Sequence, residues 1–145
     1  MHKVIWNRNE IGTSEIAWRN IIFPPLFYKE TLKPDGIMLE PFQGTLRDLL
    51  LLRGKSVEGW ARWPAANGEP GCLVLDIDRW SIDIERPRFS YFPDDPLEWG
   101  EVRDALAYNP IIRSIKRPDD GCYRLTFVKN RFQFSIAGYL PGVQR

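Results

Sequence analysis

Hydrophobic positions change period along this chain. Between Thr45 and Arg53 they fall at helical spacing: Leu46, Leu49, Leu50 and Arg53 sit at i, i+3, i+4 and i+7. That pattern predicts a short helix with a core-facing leucine stripe. Thr45 reads as its N-cap, Asp48 as its third residue and Gly54 as its C-terminal stop. Further on the period becomes two. Cys72 to Asp78 alternates in part, with Leu73, Leu75 and Ile77 on one face, and Trp80, Ile82 and Ile84 continue in the opposite phase. The slip falls at Asp78-Arg79, so the segment is either one long bulged strand or a tight hairpin.

Asp95-Pro96-Leu97-Glu98 has the chemistry of a helix start. Asp95 can cap, Pro96 suits the first helical position and Glu98 can complete a capping box. The helix should run to about Tyr108, since Asn109-Pro110 stops it, with Trp99, Val102 and Leu106 as its buried face. The last part reads as an antiparallel meander. Ile111 to Arg117 is one strand, Pro118-Asp119-Asp120-Gly121 a turn and Cys122 to Lys129 the next strand. Lys129-Asn130-Arg131 turns the chain into a strand carrying Phe132, Phe134 and Ile136.

Earlier, Lys3 to Asn7 is β-prone, Gly12-Thr13-Ser14 a turn, and Glu15 to Phe23 a strand, with a short helix capped by Ser14 as the alternative, ended by Pro24-Pro25. Lys33-Pro34-Asp35-Gly36, Asn67-Gly68 and Pro70-Gly71 are turn signals. Pro87 to Pro96 reads as a connection, and the tail from about residue 141 as loose. The expected architecture is one α+β domain over residues 1–145. It has a mostly antiparallel sheet of about five or six strands with two short helices on one face and the C-terminal three-strand meander.

Composition narrows the function. The 145 residues suit a single core, and 43% hydrophobic with 27% charged residues is ordinary for a globular domain. Uninterrupted apolar runs such as Leu49 to Leu52 are too short to span a bilayer. The N-terminus turns polar too early for a signal peptide, so a cytoplasmic location without membrane contact is expected. With 20 basic against 19 acidic residues the net charge is +1, which disfavours a nucleic-acid partner. Cys72 and Cys122 each open a strand-like run, where a buried thiol acts as a small hydrophobe. Two cysteines and one histidine, His2, do not make a zinc site.

Candidate chemistry starts with the acidic steps Asp76-x-Asp78 and Asp83-x-Glu85. Carboxylates two apart share one face of a strand, and converging carboxylates can hold Mg²⁺ or Ca²⁺. The simpler reading puts Leu73, Leu75 and Ile77 in the core, with Val74, Asp76 and Asp78 on a solvated face and Asp83 and Glu85 as outward partners of Ile82 and Ile84. Asp94-Asp95 is explained by capping and Asp119-Asp120 by the turn before Gly121. His2 sits at the terminus, so Ser and Thr lack a histidine partner within the fold. No cofactor is expected.

Aromatic residues number 19, and the 14 Arg outnumber the 6 Lys. Arg, Trp and Tyr are the types enriched in protein–protein hot spots. Trp60, Arg62, Trp63, Arg79, Arg88 and Tyr91 therefore form the expected partner-binding group, most of it on loops. A lesser reading has Tyr123, Phe127, Phe132 and Phe134 stacking single-stranded bases. In size, compartment and lack of a catalytic motif the chain is similar to small bacterial immunity proteins, single domains that bind and block a toxin enzyme. The resulting expectation is a non-catalytic protein-binding module, an immunity or antitoxin-like inhibitor that occludes its partner. A metal-assisted enzyme acting on phosphate or sugar substrates through Asp76, Asp78, Asp83 and Glu85 is the alternative, followed by a structural subunit of a larger assembly.

Overall fold

The computed structural model describes residues 40–64, 70–91, 95–119 and 122–144. The elements expected between Lys3 and Gly36, and the Asn67-Gly68 turn, lie outside the described residues. In chain order the elements are β1 (Glu40–Pro41), β2 (Gly44–Thr45), α1 (Leu46–Leu50), β3 (Val57–Pro64), β4 (Pro70–Ile77) and β5 (Trp80–Tyr91). They continue with β6 (Asp95–Pro96), α2 (Trp99–Leu106), β7 (Ile111–Asp119), β8 (Cys122–Lys129), β9 (Phe132–Tyr139) and β10 (Val143–Gln144).

The mostly antiparallel α+β architecture with two helices is the one the periodicity predicts, but the main sheet is larger. It has eight strands among the described residues: six run in the order β3-β4-β5-β9-β8-β7, and the two-residue β1 and β6 both join β5. Pairs this short carry no alternation of their own and are invisible in sequence.

The central strand β5 organises the sheet. Its first half pairs with β4 from Cys72↔Glu85 to Ile77↔Trp80, so Asp78-Arg79 is a tight hairpin. Asp78 takes a φ of 59° there. Its second half pairs with β9 from Arg88↔Ala137 to Tyr91↔Phe134. The expected Pro87 to Pro96 connection is thus largely strand. Pro87 is accommodated because it falls in the irregularity between Glu85 and Arg88, where no ladder N–H is needed and Arg86 turns to a φ of 52°.

The outer strands of this path meet again. Ser56 bridges Ile111, the Ile112 N–H donates to the Lys55 carbonyl at 2.9 Å, and the Val57 N–H donates to the Pro110 carbonyl at 2.8 Å. The sheet therefore curls until β3 touches β7. Residues directly opposite share a face, so Trp60, Leu75 and Ile82 form one inward row and Ile112, Phe127 and Phe134 another. All six are buried.

The outward face is not uniformly wet. Val74 and Asp76, expected on the solvated side, are 0% and 1% exposed, and only Asp78 of that set reaches solvent. Strand β4 is buried on both faces.

The α1 cap forms as expected, with the Thr45 N–H donating to Asp48 Oδ2 at 2.9 Å and the Asp48 N–H donating to Thr45 Oγ1. The helix proper stops at Leu50, and Gly54 takes a φ of 85°. Leu49 and Leu52 enter the core. Helix α2 begins three residues later than its sequence suggests. Asp95 and Pro96 are held against Tyr91 and Ser90 as β6, so Glu98 takes the N-cap position and its N–H donates to Glu101 at 3.3 Å. The tail is not loose through Gln144: β10 pairs in parallel with β2, and Val143 is buried.

Candidate functional site

The structure disperses the expected aromatic–arginine group. Trp60 has no exposed surface and meets Trp99 edge to face, with centroids 5.2 Å apart. Arg62 is also buried, its guanidinium 5.3 Å from the Trp99 ring centre in a cation–π contact. Both lie on β3 rather than on a loop, and Trp63 lies near the far end of that strand. Arg79 is exposed in the β4–β5 turn. Arg88 and Tyr91 are exposed on β5, Arg88 opposite Ala137 on the outward face and Tyr91 opposite Phe134. A side chain buried as fully as Trp60 has no surface to offer a partner; among the members whose burial is described, Arg79, Arg88 and Tyr91 are the accessible ones.

Of the four carboxylates only Asp76 and Asp83 are brought together. Asp76 lies opposite Ser81 and Asp83 opposite Val74, which makes them diagonal outward neighbours. Glu85 is exposed further along β5, and Asp78 belongs to the turn. Among the described residues no three His, Cys, Asp or Glu side chains are placed to hold a metal ion. Cys72 pairs with Glu85, and burial, reinforced by the Asp83 and Glu85 charges, pushes its thiol far up from the ordinary value. Cys72 and Cys122 are both free. They sit in one transverse row with Glu85 and Tyr139 between them, three strand spacings or about 14 Å apart, beyond disulfide reach.

The base-stacking reading is corrected as well. Tyr123, Phe127 and Phe134 are 3%, 0% and 0% exposed and point into the curled sheet, so they cannot meet a base, and of the four only Phe132 is partly open.

What the fold builds instead is a groove of about 580 Å³ between α2 and the β8–β9 turn. Its floor is aromatic. Tyr91 packs on Phe132 at 5.2 Å, Phe132 on Phe134 at 5.3 Å and Phe134 on Phe127 at 5.3 Å. This chain of rings runs from solvent into the core, so the exposed end is held by the buried end. One wall is α2 and its exit, where Glu101, Asp104, Ala105 and Tyr108 recur at helical spacing opposite the buried Trp99–Val102–Leu106 stripe. The other wall is the turn, with Lys129, Asn130 and Arg131. Asn130 takes a φ of 55°, which lets the strands reverse tightly and sets both cations at the rim. Tyr91 and Tyr108 are 39% and 67% exposed. The groove is therefore apolar below, acidic along the helix and basic along the hairpin.

Of this groove, sequence reasoning singled out Tyr91 as a partner contact and Phe132 only as a stacking surface. The one local signal for the rest was the Glu101–Asp104–Tyr108 spacing. Nothing in sequence showed that it would face a hairpin more than twenty residues later. Comparison of the chain with protein-family models, with curated proteins and with solved structures finds no match. No helix among the described residues is long and apolar enough to cross a membrane.

Proposed function

We propose that this chain is a non-catalytic binding module that takes a segment of a partner protein into the groove between α2 and the β8–β9 turn. The observation that carries the reading is the floor of exposed Tyr91 on half-buried Phe132, set between walls of opposite charge. Exposed aromatics anchored to the core supply contact area at low entropic cost, as binding hot spots require. The walls fix direction. A fitting segment places an aliphatic or aromatic side chain on the floor, a cation toward Glu101 and Asp104, and a carboxylate toward Lys129 and Arg131. Similarity in profile to immunity proteins supplies the specific form, in which the module occludes a toxin enzyme.

The test is a binding comparison. A partner recovered by affinity capture is titrated by calorimetry against the unaltered chain and against Tyr91→Ala/Tyr108→Ala, both melted first to confirm folding. The groove variant should bind at least about tenfold more weakly, as loss of aromatic anchors does. Equal affinity would remove the groove from recognition and with it this reading.

A further inference from the structure

We infer that the outward face of β5, β9, β8 and β7 is a second contact surface, one that receives an acidic patch of the partner protein. This rests on the binding-module reading and specifies the partner's chemistry. Register brings together cations that are far apart in sequence. Arg88 lies opposite Ala137, Ala137 opposite Arg124 and Arg124 opposite Lys116. These residues form one transverse row, whose ends are three strand spacings or about 14 Å apart. Arg113, the extra residue between Ile112 and Ser114, joins them on this face, its Nη1 donating to Gln133 Oε1 at 2.7 Å.

Arg88, Arg113 and Lys116 are exposed, and the hidden Nε of Arg124 finds no hydrogen-bond partner among the described residues. None of the four has a carboxylate at ion-pair distance among those residues. Charge is segregated along the chain. The meander Ile111–Tyr139 holds six cations against two carboxylates in a protein of net charge +1. Glu85, one register step beyond the bulge from Arg88, marks the border of the basic area.

Between the cations lie only short side chains, the half-buried Ser90 and the buried Thr126, Ser135 and Ala137, with Thr126 and Ser135 satisfying one another at 2.9 Å. Exposed arginine forks suit paired carboxylates. A single-stranded nucleic acid would need a run of stacking rings; among the described residues of these strands Tyr123, Phe127 and Phe134 turn inward, and Tyr139 is the single exposed ring on this face. Acidic protein is therefore the occupant the face favours. The row would steer the partner and the groove would anchor it.

The test uses fluorescence anisotropy with two labelled probes of equal charge, a Glu/Asp-rich peptide and a single-stranded oligonucleotide, across a salt series. The peptide should bind the unaltered chain more tightly than the oligonucleotide and weaken as salt rises. In Arg88→Glu/Lys116→Glu, whose wild-type side chains are exposed, peptide affinity should fall at least about tenfold. The control Arg47→Glu/Lys55→Glu carries the same net charge on exposed positions around α1 and should keep the affinity. Tighter oligonucleotide binding would overturn the inference in favour of nucleic acid, and equal loss in both variants would reduce it to net charge. Either failure leaves the groove comparison, made with different variants and a different ligand, to stand on its own.

Discussion

Trp60 of β3 and Trp99 of α2 meet edge to face, with ring centroids 5.2 Å apart and ring planes at 81°. Phe89 packs on Trp99 at 5.6 Å and Arg62 covers it at 5.3 Å. Both indole N–H groups are buried with no hydrogen-bond partner among the described residues, so ring packing rather than hydrogen bonding pins the helix to the sheet. Trp99→Ala should cost about 3–5 kcal/mol in urea unfolding. Because α2 forms one wall of the groove, the same variant should weaken partner binding even where it remains folded. A cost below about 1 kcal/mol would show that the helix is held elsewhere.

Two glycines mark close backbone approaches. A Cβ at Gly142 would fall on the Phe42 carbonyl oxygen, and one at Gly138 would lie 2.6 Å from Ile84 Cγ2 and 2.8 Å from the Glu85 carbonyl oxygen. Backbone atoms cannot swing aside as a long side chain can. Gly138→Ala should therefore destabilise by about 1–3 kcal/mol. Gly142→Ala should separate β10 from β2, read as faster hydrogen exchange at the Gly44 amide, which donates to the Gly142 carbonyl at 3.1 Å.

Asn109 joins two jobs at the seam where the sheet closes. Its backbone has a φ of 56°, and its Nδ2 donates to the Val57 carbonyl at 2.9 Å. Asn109→Ala loses the hydrogen bond and strains the backbone, for about 2–3 kcal/mol in denaturant unfolding. Asn109→Gly relieves the strain alone and should recover about 1 kcal/mol of that loss. Equal stability of the two variants would mean that backbone strain contributes nothing here.

Cys72 predicts a pH dependence. Burial first, then Asp83 and Glu85, holds its thiol protonated in the fold. A folded-state pKa above the unfolded one contributes stability that is complete below the ordinary thiol range. That stability is lost as pH rises and the unfolded thiol ionises. Between about pH 8.5 and 11 the unaltered protein should lose stability relative to Cys72→Ser. Iodoacetamide should also label Cys72 more slowly in the folded protein than in urea. Parallel pH profiles for the two proteins would contradict this account.

The parts that could be read in advance depend on neighbours within a few residues. Thr45 and Asp48 make their capping contacts three positions apart, Asp78-Arg79 turns where the alternation slips, and the strands of the meander lie close to where Phe132, Phe134 and their partners place them. Strand β3 was missed because Gly59 and the buried Arg62 interrupt its alternation. The start of α2 was misplaced because Asp95-Pro96 has good capping chemistry, yet its pairing with β5 took precedence.

Local period and turn chemistry thus carried the element types, the two-helix antiparallel class and the reversal points of this protein. They act through the few residues each backbone unit can reach. Which face of each strand is wet, whether Trp60 is anchor or core, and what shares a surface with Arg88 or Tyr91 were set by pairing across the curled sheet. Arg88 shares a row with Arg124 across Ala137, and Tyr91 faces the Lys129–Arg131 turn, only because β5 changes partner at Arg86-Pro87 and takes up β9. A one-residue change of register there would turn the row and the groove floor to opposite faces. Alternation within one strand has no access to that choice, because it is made by hydrogen bonds and packing between segments tens of residues apart.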